Sequence, residues 1–371
     1  MHKTFKYRIY PTASQQTKMN LILEECRWLY NHFLEERKTS YETSKTSLSM
    51  YDQQGFLPSL KQLRPSLNLV YSQSLQDVAL RIDLAFKAFF RRCKSGENPG
   101  YPRFKGNGRY HSFSYPQNNN SCKFLSDNCI RLSKIGTVKI KLHRFIEGAI
   151  KTCTVSKALT NKWFISFSCE IEPQVLPSND LEVGIDLGLA SFAVLSDGSS
   201  IQNPHFYRKE QKALAKVQRK LSKQPKGTPE RYKVRKVVAK VHERISNKRN
   251  DFCHQETRKI VDKYGTICCE DLNIKNMIIK GEFPKLSKSI NDASWGQFLS
   301  FLSFKAENAG RTFVKVNPVY TSQDCSECGT RQVLKLSDRM YSCGVCGLSL
   351  DRDLNASKNI LRVGLHSLGV V

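Results

Sequence analysis

Acidic residues are scarce in this chain: 33 Asp plus Glu stand against 59 Lys plus Arg, a formal charge of +26. Solubility does not require such an excess, so a large polyanion is the expected partner, with nucleic acid first. No apolar run approaches the roughly 18 residues that a membrane span needs, which argues against a membrane partner. The opening MHKTFKYRIYPT also lacks the apolar stretch of a signal peptide, so the expected location is the cytoplasm. Internal repeats and long low-complexity tracts are missing as well, and 40% hydrophobic residues over 371 positions can bury real cores. Disordered and fibrous classes are thereby excluded, and two or three domains are expected.

The cysteines do not form a disulfide framework. Thirteen is an odd number, and nine of them are scattered or sit in apolar surroundings such as Cys268 and Cys269, as ordinary reduced thiols do. The other four form two knuckles, Cys325-Ser-Glu-Cys328-Gly and Cys343-Gly-Val-Cys346-Gly. Each short turn points two sulfurs inward and the trailing glycines relieve the backbone, a spacing that predicts structural Zn2+ held by four thiolates. A closed four-sulfur site has no open position for substrate, so it is not assigned to catalysis. Redox activity is the weaker competitor.

Along the chain, HKTFKYRIY alternates like a strand, and Thr12-Ala-Ser-Gln15 has the form of a helix-start capping box. Met19, Ile22, Cys26, Leu29 and Phe33 mark one face of a long helix running toward Tyr41, and Val78, Ile82, Phe86 and Phe89 mark a second over 73–93. From about 120 to 172 the pattern is strand-like, which predicts a small barrel or curled sheet that recruits the N-terminal strand. The segment EPQVLPSND reads as a linker, with a boundary near 178. Beyond it, a strand ending at Asp186, its hairpin partner Phe192 to Leu195 with an Asp197-Gly198 turn, a strand Gly265 to Cys269, a helix over about 292–308 and a strand Thr312 to Val316 predict an α/β core.

Acids sit at the ends of the apolar strands. Asp186 follows one in LEVGIDLG, Glu270 follows another in YGTICCED, and Asp351 and Asp353 open a helical pattern in LDRDLNA. Singly, each has an ordinary structural reading: a turn residue for Asp186, a surface acid for Glu270, a helix cap for Asp351. Three carboxylates converging from neighbouring elements would repel one another unless cations neutralised them, so convergence would imply a divalent site. Mg2+ suits all-oxygen ligands, and two such ions can support phosphodiester cleavage.

Between Arg208 and Arg249 the chain carries sixteen Lys or Arg against three Glu, with Leu214, Val217, Leu221, Val234, Val237, Val241 and Ile245 at helical spacing. Two amphipathic helices joined at Gln224–Pro229 are predicted, with Lys216, Arg219, Lys220, Arg235, Lys236, Lys248 and Arg249 as expected phosphate contacts. A second cluster interleaves aromatics with cations: Phe89, Phe90, Arg91, Arg92, Tyr101, Arg103, Phe104, Lys105, Arg109 and Tyr110. Its cations Arg91, Arg92, Arg103, Lys105 and Arg109 are expected at nucleic acid, beside bases stacked on rings. For Phe86 and Phe89 a core role is the stronger reading.

Taken together, GIDLG at Asp186, CCEDLNI at Glu270, YTSQDCSECG with YSCGVCG, and DRDLNASKNI at Asp353 resemble TnpB, also called OrfB, a family of transposon-encoded RNA-guided nucleases related to type V CRISPR effectors. RIYPTASQQ, RWLYNHFL and YPRFKGNGRYHSFSY extend the likeness over nearly the whole chain. Ser357 departs from it, standing where alanine is common. The resemblance implies an α/β RNase H-like (RuvC-like) nuclease domain over 179–320 and 348–371, interrupted by a zinc ribbon over 321–347. It also implies a β-barrel-like wedge domain over 1–11 and 118–178 carrying a helical recognition insertion over 12–117.

By the same resemblance Asp186, Glu270 and Asp353 are the catalytic acids, holding Mg2+ or Mn2+; the pattern Asp-x-Asn-Ala favours Asp353 over Asp351. The implied partners are a guide RNA derived from the transposon end and target double-stranded DNA, cleaved beside a short adjacent motif, with base pairing supplying specificity. Two rivals stand beside this reading. A transposase acting directly on transposon ends is disfavoured by the DRDLNA ending, and a non-enzymatic RNA-guided DNA-binding repressor by the presence of all three acids.

Overall fold

Phe5, Tyr7 and Ile9 alternate along the N-terminal strand, and all three side chains are buried, because β1 (His2–Tyr10) lies in the middle of a sheet rather than at its edge. Its neighbours come from far along the chain: β2 (Ser112–Tyr115), β3 (Cys122–Ser126), β4 (Cys129–Leu132), β5 (Gly136–Lys141), β6 (Ala149–Lys157) and β7 (Trp163–Glu170). The antiparallel order is β2-β6-β7-β1-β5-β4-β3. The sheet curls, so that Phe124 on β3 meets Phe167 on β7 with ring centroids 5.3 Å apart. The recruited N-terminal strand is therefore as expected. β2 was not: it lies inside the stretch expected to be helical insertion, and four residues of alternation are too short to read against a basic, aromatic background. The boundary expected at 118 lies outside the described residues, which are all except 118–120, 280–283, 336–337 and 370–371.

Among the described residues, four α-helices and a 3-10 turn (Pro65–Leu69) complete this first unit, Met1–Ile171. α1 (Ala13–Ser44) starts at the predicted capping box: the Gln15 N–H donates to Thr12 Oγ1 (3.3 Å) and the Thr12 N–H to Gln15 Oε1 (3.0 Å). Such a cap is worth about 1 kcal/mol. All five predicted apolar positions of α1 are buried. α2 (Met50–Gly55), α3 (Leu57–Leu63) and α4 (Ser72–Lys94) follow; Val78 and Ile82 of α4 are buried, Phe86 is partly buried against the same core as expected, and half-buried Phe89 lies beyond it.

The second unit is Glu172–Val371. The linker is docked on it, since the Leu176 N–H donates to Ala309 O (3.0 Å) and Arg311 Nη1 to Pro177 O (2.7 Å). A hairpin opens the unit, β8 (Glu182–Leu187) with β9 (Ser191–Leu195) and then β10 (Ser200–Gln202), and the basic helices α5 (Phe206–Ser222) and α6 (Pro229–Lys263) follow. α6 runs fourteen residues past Arg249, because Cys253, Thr257 and Ile260 keep burying one face after the charge run ends.

The chain then returns as β11 (Thr266–Glu270), passes through α7 (Ile274–Ile279), α8 (Pro284–Ala293) and α9 (Trp295–Asn308), and adds β12 (Thr312–Val316). β11 pairs in parallel with both β8 and β12, giving the order β10-β9-β8-β11-β12. A small hairpin, β13 (Met340–Ser342) with β14 (Ser349–Asp351), precedes α10 (Arg352–Ser367). α10 lies directly on the sheet at two glycines. A Cβ on Gly184 of β8 would sit 2.0 Å from Ser357 O, and one on Gly364 of α10 would sit 2.3 Å from Cys268 Sγ of β11. Among the described residues no helix is long and apolar enough to cross a membrane.

Candidate carboxylate and cysteine centres

β8 and β11 run in the same direction, with Cys269 opposite Ile185, so each strand delivers its acid, Asp186 or Glu270, at the same edge of the sheet. α10 begins beside them. A Cβ on Gly188, two residues past Asp186, would lie 4.0 Å from Asp353 Oδ2. The close contact of Gly184 with Ser357 and Leu361 seats α10 on β8, and its first turn, with Asp353, starts beside Gly188.

The electrostatics register the crowding. Burial, then the charges of Glu270 and Asp353, push the Asp186 carboxyl up to about 8, with Arg352 as the opposing cation. Burial also raises the Glu270 and Asp353 carboxyls, in the second case with help from Asp351. Like charges in a poorly solvated place favour protonation unless a cation joins them. Asp351 has a different job. Its carboxylate caps α10, accepting from the Asp353 and Leu354 N–H groups at 2.9 and 3.1 Å.

One contributor escaped the sequence reading. Thr321 Oγ1 donates to Glu270 Oε1 at 2.6 Å and so orients that carboxylate. Thr321 in turn is held from α10: Asn359 Nδ2 donates to Thr321 O (2.9 Å) and Asp324 O (2.6 Å), and Asn355 Nδ2 donates to Asp324 O (2.8 Å). Asn355 also accepts from the Ser326 N–H (2.9 Å). The available signal was Asn355 and Asn359, amides at i and i+4 on the apolar face of a helix, which must find buried partners.

The four cysteines come together. Their sulfurs all lie within 4.8 Å of one another, and among the described residues no other set of three or more metal-binding side chains is so tightly grouped. Cys325 and Cys346 Sγ are 3.6 Å apart, as are Cys328 and Cys343 Sγ. The trailing Gly329 and Gly347 have φ of 76° and 74°, the left-handed conformation that the two turns demand. The Thr330 hydroxyl, 3.3 Å from Cys328 Sγ, helps hold that thiol down at about 6, favouring thiolate.

The expected nucleic-acid contacts fall into separate groups. On α5, Arg208, Lys212, Lys216, Arg219 and Lys220, together with its C-cap Lys223, line one open hollow of about 930 Å³. Arg235 is exposed on α6, and Lys236 lies 4.7 Å over the Tyr232 ring. Lys248 pairs with Glu210 at 3.2 Å, and Arg249 is tied to the buried carboxylate of Asp292 at 2.8 Å, so Arg249 is spent inside the unit. In the first unit Arg91, Arg92 and Lys94 occupy the last turn of α4, while Arg103 and Arg109 are exposed in the loop beyond. The backbone of Lys105 is clamped by Asn31 and its Nζ lies 5.3 Å over Tyr30.

Comparison with known proteins agrees over the full length. A family model described as a probable transposase, OrfB_IS605, matches residues 166–280, a Cas12f1-like TNB domain matches 295–360, and an associated helix-turn-helix domain matches 1–46. Within 1–46 this protein has one strand and one uninterrupted helix. The chain is 34% identical over 370 residues to a "Putative RNA-guided DNA endonuclease" of Streptomyces pristinaespiralis, covering 98% of this chain and 89% of that protein. It is 31% identical to the "Putative RNA-guided DNA endonuclease InsQ" of Escherichia coli K12, covering 98% and 92%. Among solved structures, the mini-RNA-guided endonuclease CRISPR-Cas_phi3 shares the fold, with a TM-score of 0.52 at 10% identity over 98% of this chain and 92% of that one.

Proposed function

The chain belongs to the TnpB (OrfB) family of RNA-guided DNA endonucleases, related to type V CRISPR effectors, and on that premise we propose that it cleaves target DNA at one centre made by Asp186, Glu270 and Asp353. The observation that carries this reading is the mutual charge crowding of three acids brought from β8, β11 and α10, with Asp186 pushed up to about 8. Their all-oxygen donor set fits a divalent cation such as Mg2+ or Mn2+, and the missing neutralisation is what such an ion brings. When bound, it offsets phosphate charge and lowers the pKa of water for phosphodiester hydrolysis. The sheet order, an antiparallel hairpin followed by two parallel strands, supports an RNase H-like (RuvC-like) core over 179–320 and 348–371.

The protein groups have distinct parts. Thr321 fixes the Glu270 carboxylate, Asp351 caps α10 so that Asp353 is presented from its first turn, and Gly184 lets the helix approach at Ser357 and Leu361. The cysteine segment, 321–347, fits structural Zn2+: sulfurs about 2.3 Å from a common tetrahedral ion lie about 3.8 Å apart, close to the spacings of 3.6 Å. The exposed cations of α5 and α6 suit the phosphates of a guide RNA and its heteroduplex, while base pairing supplies sequence choice. The curled sheet, β1 with β2–β7, corresponds in this reading to a wedge domain, and the helices α1–α4 to the recognition insertion that reads a short motif beside the target. The guide would derive from the end of a transposon that encodes the protein.

The test is cleavage by the protein purified with co-expressed transposon-end RNA. In magnesium, a plasmid carrying the matching target and adjacent motif is expected to be cut, and Asp186→Ala is expected to bind it without cutting. An intact plasmid, with RNA bound to the wild-type protein, would sink the reading.

A further inference from the structure

One residue next to the acids holds a backbone conformation that its side chain disfavours. Tyr320 has a φ of 65°, in the left-handed region, where a bulky residue is strained and persists only if its surroundings hold it there. It directly precedes Thr321, whose hydroxyl donates to Glu270 Oε1 at 2.6 Å. The direction in which the chain leaves Tyr320 therefore decides whether Thr321 meets that carboxylate. Glycine would adopt the same φ without steric cost, so what a tyrosine adds at this position is its ring.

The ring is held from the cysteine segment. Arg331, between the two cysteine pairs, places its guanidinium carbon 3.4 Å from the centroid of the Tyr320 ring. That guanidinium is itself fixed, since Nε donates to Asp324 Oδ1 at 2.7 Å and Nη2 to Asp324 Oδ2 at 3.2 Å. Asp324 and Arg331 are also paired through their backbones in an isolated antiparallel bridge. Asp324 leads back to the strained residue: its N–H donates to Tyr320 O at 3.0 Å, and the Gln323 N–H does so at 2.9 Å. Its own carbonyl is the one that Asn355 and Asn359 of α10 bind. With 46% of its surface exposed, the ring is not held by a core, and the stacked cation takes that part.

We infer that Tyr320 and Arg331 are positioning residues for the carboxylate centre: the arginine pins the ring, the pinned ring holds the left-handed turn, and the turn keeps Thr321 on Glu270. The inference rests on the metal-binding reading of that centre given above. Neither residue is assigned a contact with ion or substrate; both act through Thr321. A competing role for an exposed ring is stacking on a base of the strand being cut. Two substitutions separate the roles, because alanine and glycine both abolish stacking while only glycine accepts the left-handed backbone at no cost.

The experiment is a Mn2+ titration of the full-length protein as purified, read from the EPR signal of the free ion, with Glu270→Gln as the baseline for ions held elsewhere. The ion whose binding needs Glu270 is expected to be held about tenfold more weakly in Tyr320→Ala and in Arg331→Ala, but within about threefold of wild type in Tyr320→Gly. Adding Arg331→Ala to Tyr320→Gly should weaken it no further, since no ring is left to pin. The Mg2+ concentration that half-saturates plasmid cleavage should move in parallel, with the rate at saturating Mg2+ little changed. Zinc content should stay at the wild-type level in every variant, which separates the effect from collapse of the cysteine segment. Equal weakening in Tyr320→Ala and Tyr320→Gly would overturn the inference, as would wild-type affinity in Arg331→Ala or loss of zinc along with the ion. If the wild-type protein holds no ion that depends on Glu270, the metal reading of the centre fails and the inference with it.

Discussion

The carboxylate centre and the cysteine centre lie in the same unit and are joined through Thr321, yet they are built in opposite ways. Each pair of thiols comes from one four-residue turn, and the four sulfurs are grouped within 4.8 Å. The three carboxylates come from two strands and a helix up to 167 positions apart, and they meet as mutually repelling charges, with Asp186 pushed up to about 8. One centre is positioned by local turn geometry; the other by the packing of α10 on β8 and β11. The difference is what the proposed roles predict: structural metal at the thiols, and an ion and a substrate at the acids.

The comparison breaks first at the metal it assigns to the thiols. Structural Zn2+ is worth on the order of 10 kcal/mol to the segment it folds. Cys343→Ser is therefore expected to lose bound zinc, seen by metal analysis, and to open residues 321–347 to limited proteolysis. Cleavage should fall with it, because Thr321, which orients Glu270, stands at the start of the segment that the zinc would fold. A variant with unchanged zinc content and protease resistance would end the structural assignment.

Asp186→Ala should do the reverse. Loss of several kcal/mol of transition-state stabilisation corresponds to about 10³-fold or more in rate. Plasmid cleavage should fall by that order while the metal-free melting temperature does not drop, since a carboxyl buried beside other acids has been removed. If this variant cut at the wild-type rate, the two centres would not differ as described.

The third effect is a pH dependence. Because the Asp186 carboxyl is raised in the folded protein, the unfolded chain gives up that proton near pH 4 while the folded protein keeps it to about 8. Stability of the metal-free protein should therefore decline as pH rises through that window, by up to about 1.4 kcal/mol per pH unit, and level off above it. Asp186→Asn should flatten the decline in melting curves recorded from pH 5 to 9, and saturating Mg2+ should do so for the wild type. A wild-type curve equally flat without metal would contradict the crowding.

The smallest effect tests the packing itself. In Gly184→Ala the new Cβ would stand 2.0 Å from Ser357 O and 2.6 Å from the Leu361 nitrogen, both backbone atoms of α10. Overpacking of this kind costs about 1–3 kcal/mol. The variant should melt earlier and cut more slowly while keeping its zinc. Retention of full cleavage would show that Asp353 does not depend on this contact.

Much of this was legible along the chain. The Cys-x-x-Cys pairs, the five buried positions of α1, the capping box at Thr12 and the apolar runs before Asp186 and Glu270 are local patterns, set by 3.6- and 2-residue periodicities and by turn chemistry. Four residues at Ser112–Tyr115, the continuation of α6 to Lys263, and the commitment of Arg249 to Asp292 were not legible. Each depends on a neighbour distant in sequence: β6 for the short strand, the buried face of α6 after its charges end, and a carboxylate 43 residues away for the arginine.

The sequence by itself determined the charge, the identity of the candidate ligands and the turns that group four sulfurs, because these follow from composition and from contacts within a few residues. Only the tertiary structure decided that α10 starts beside the ends of β8 and β11 with Asp351 as its cap, that Thr321 donates to Glu270, and that Arg37 is left with an unpartnered nitrogen where α1 meets α4. Those outcomes depend on how α10 seats on two glycines and how α1 meets α4. Packing of that kind is set by shape complementarity between distant segments, which no local pattern encodes.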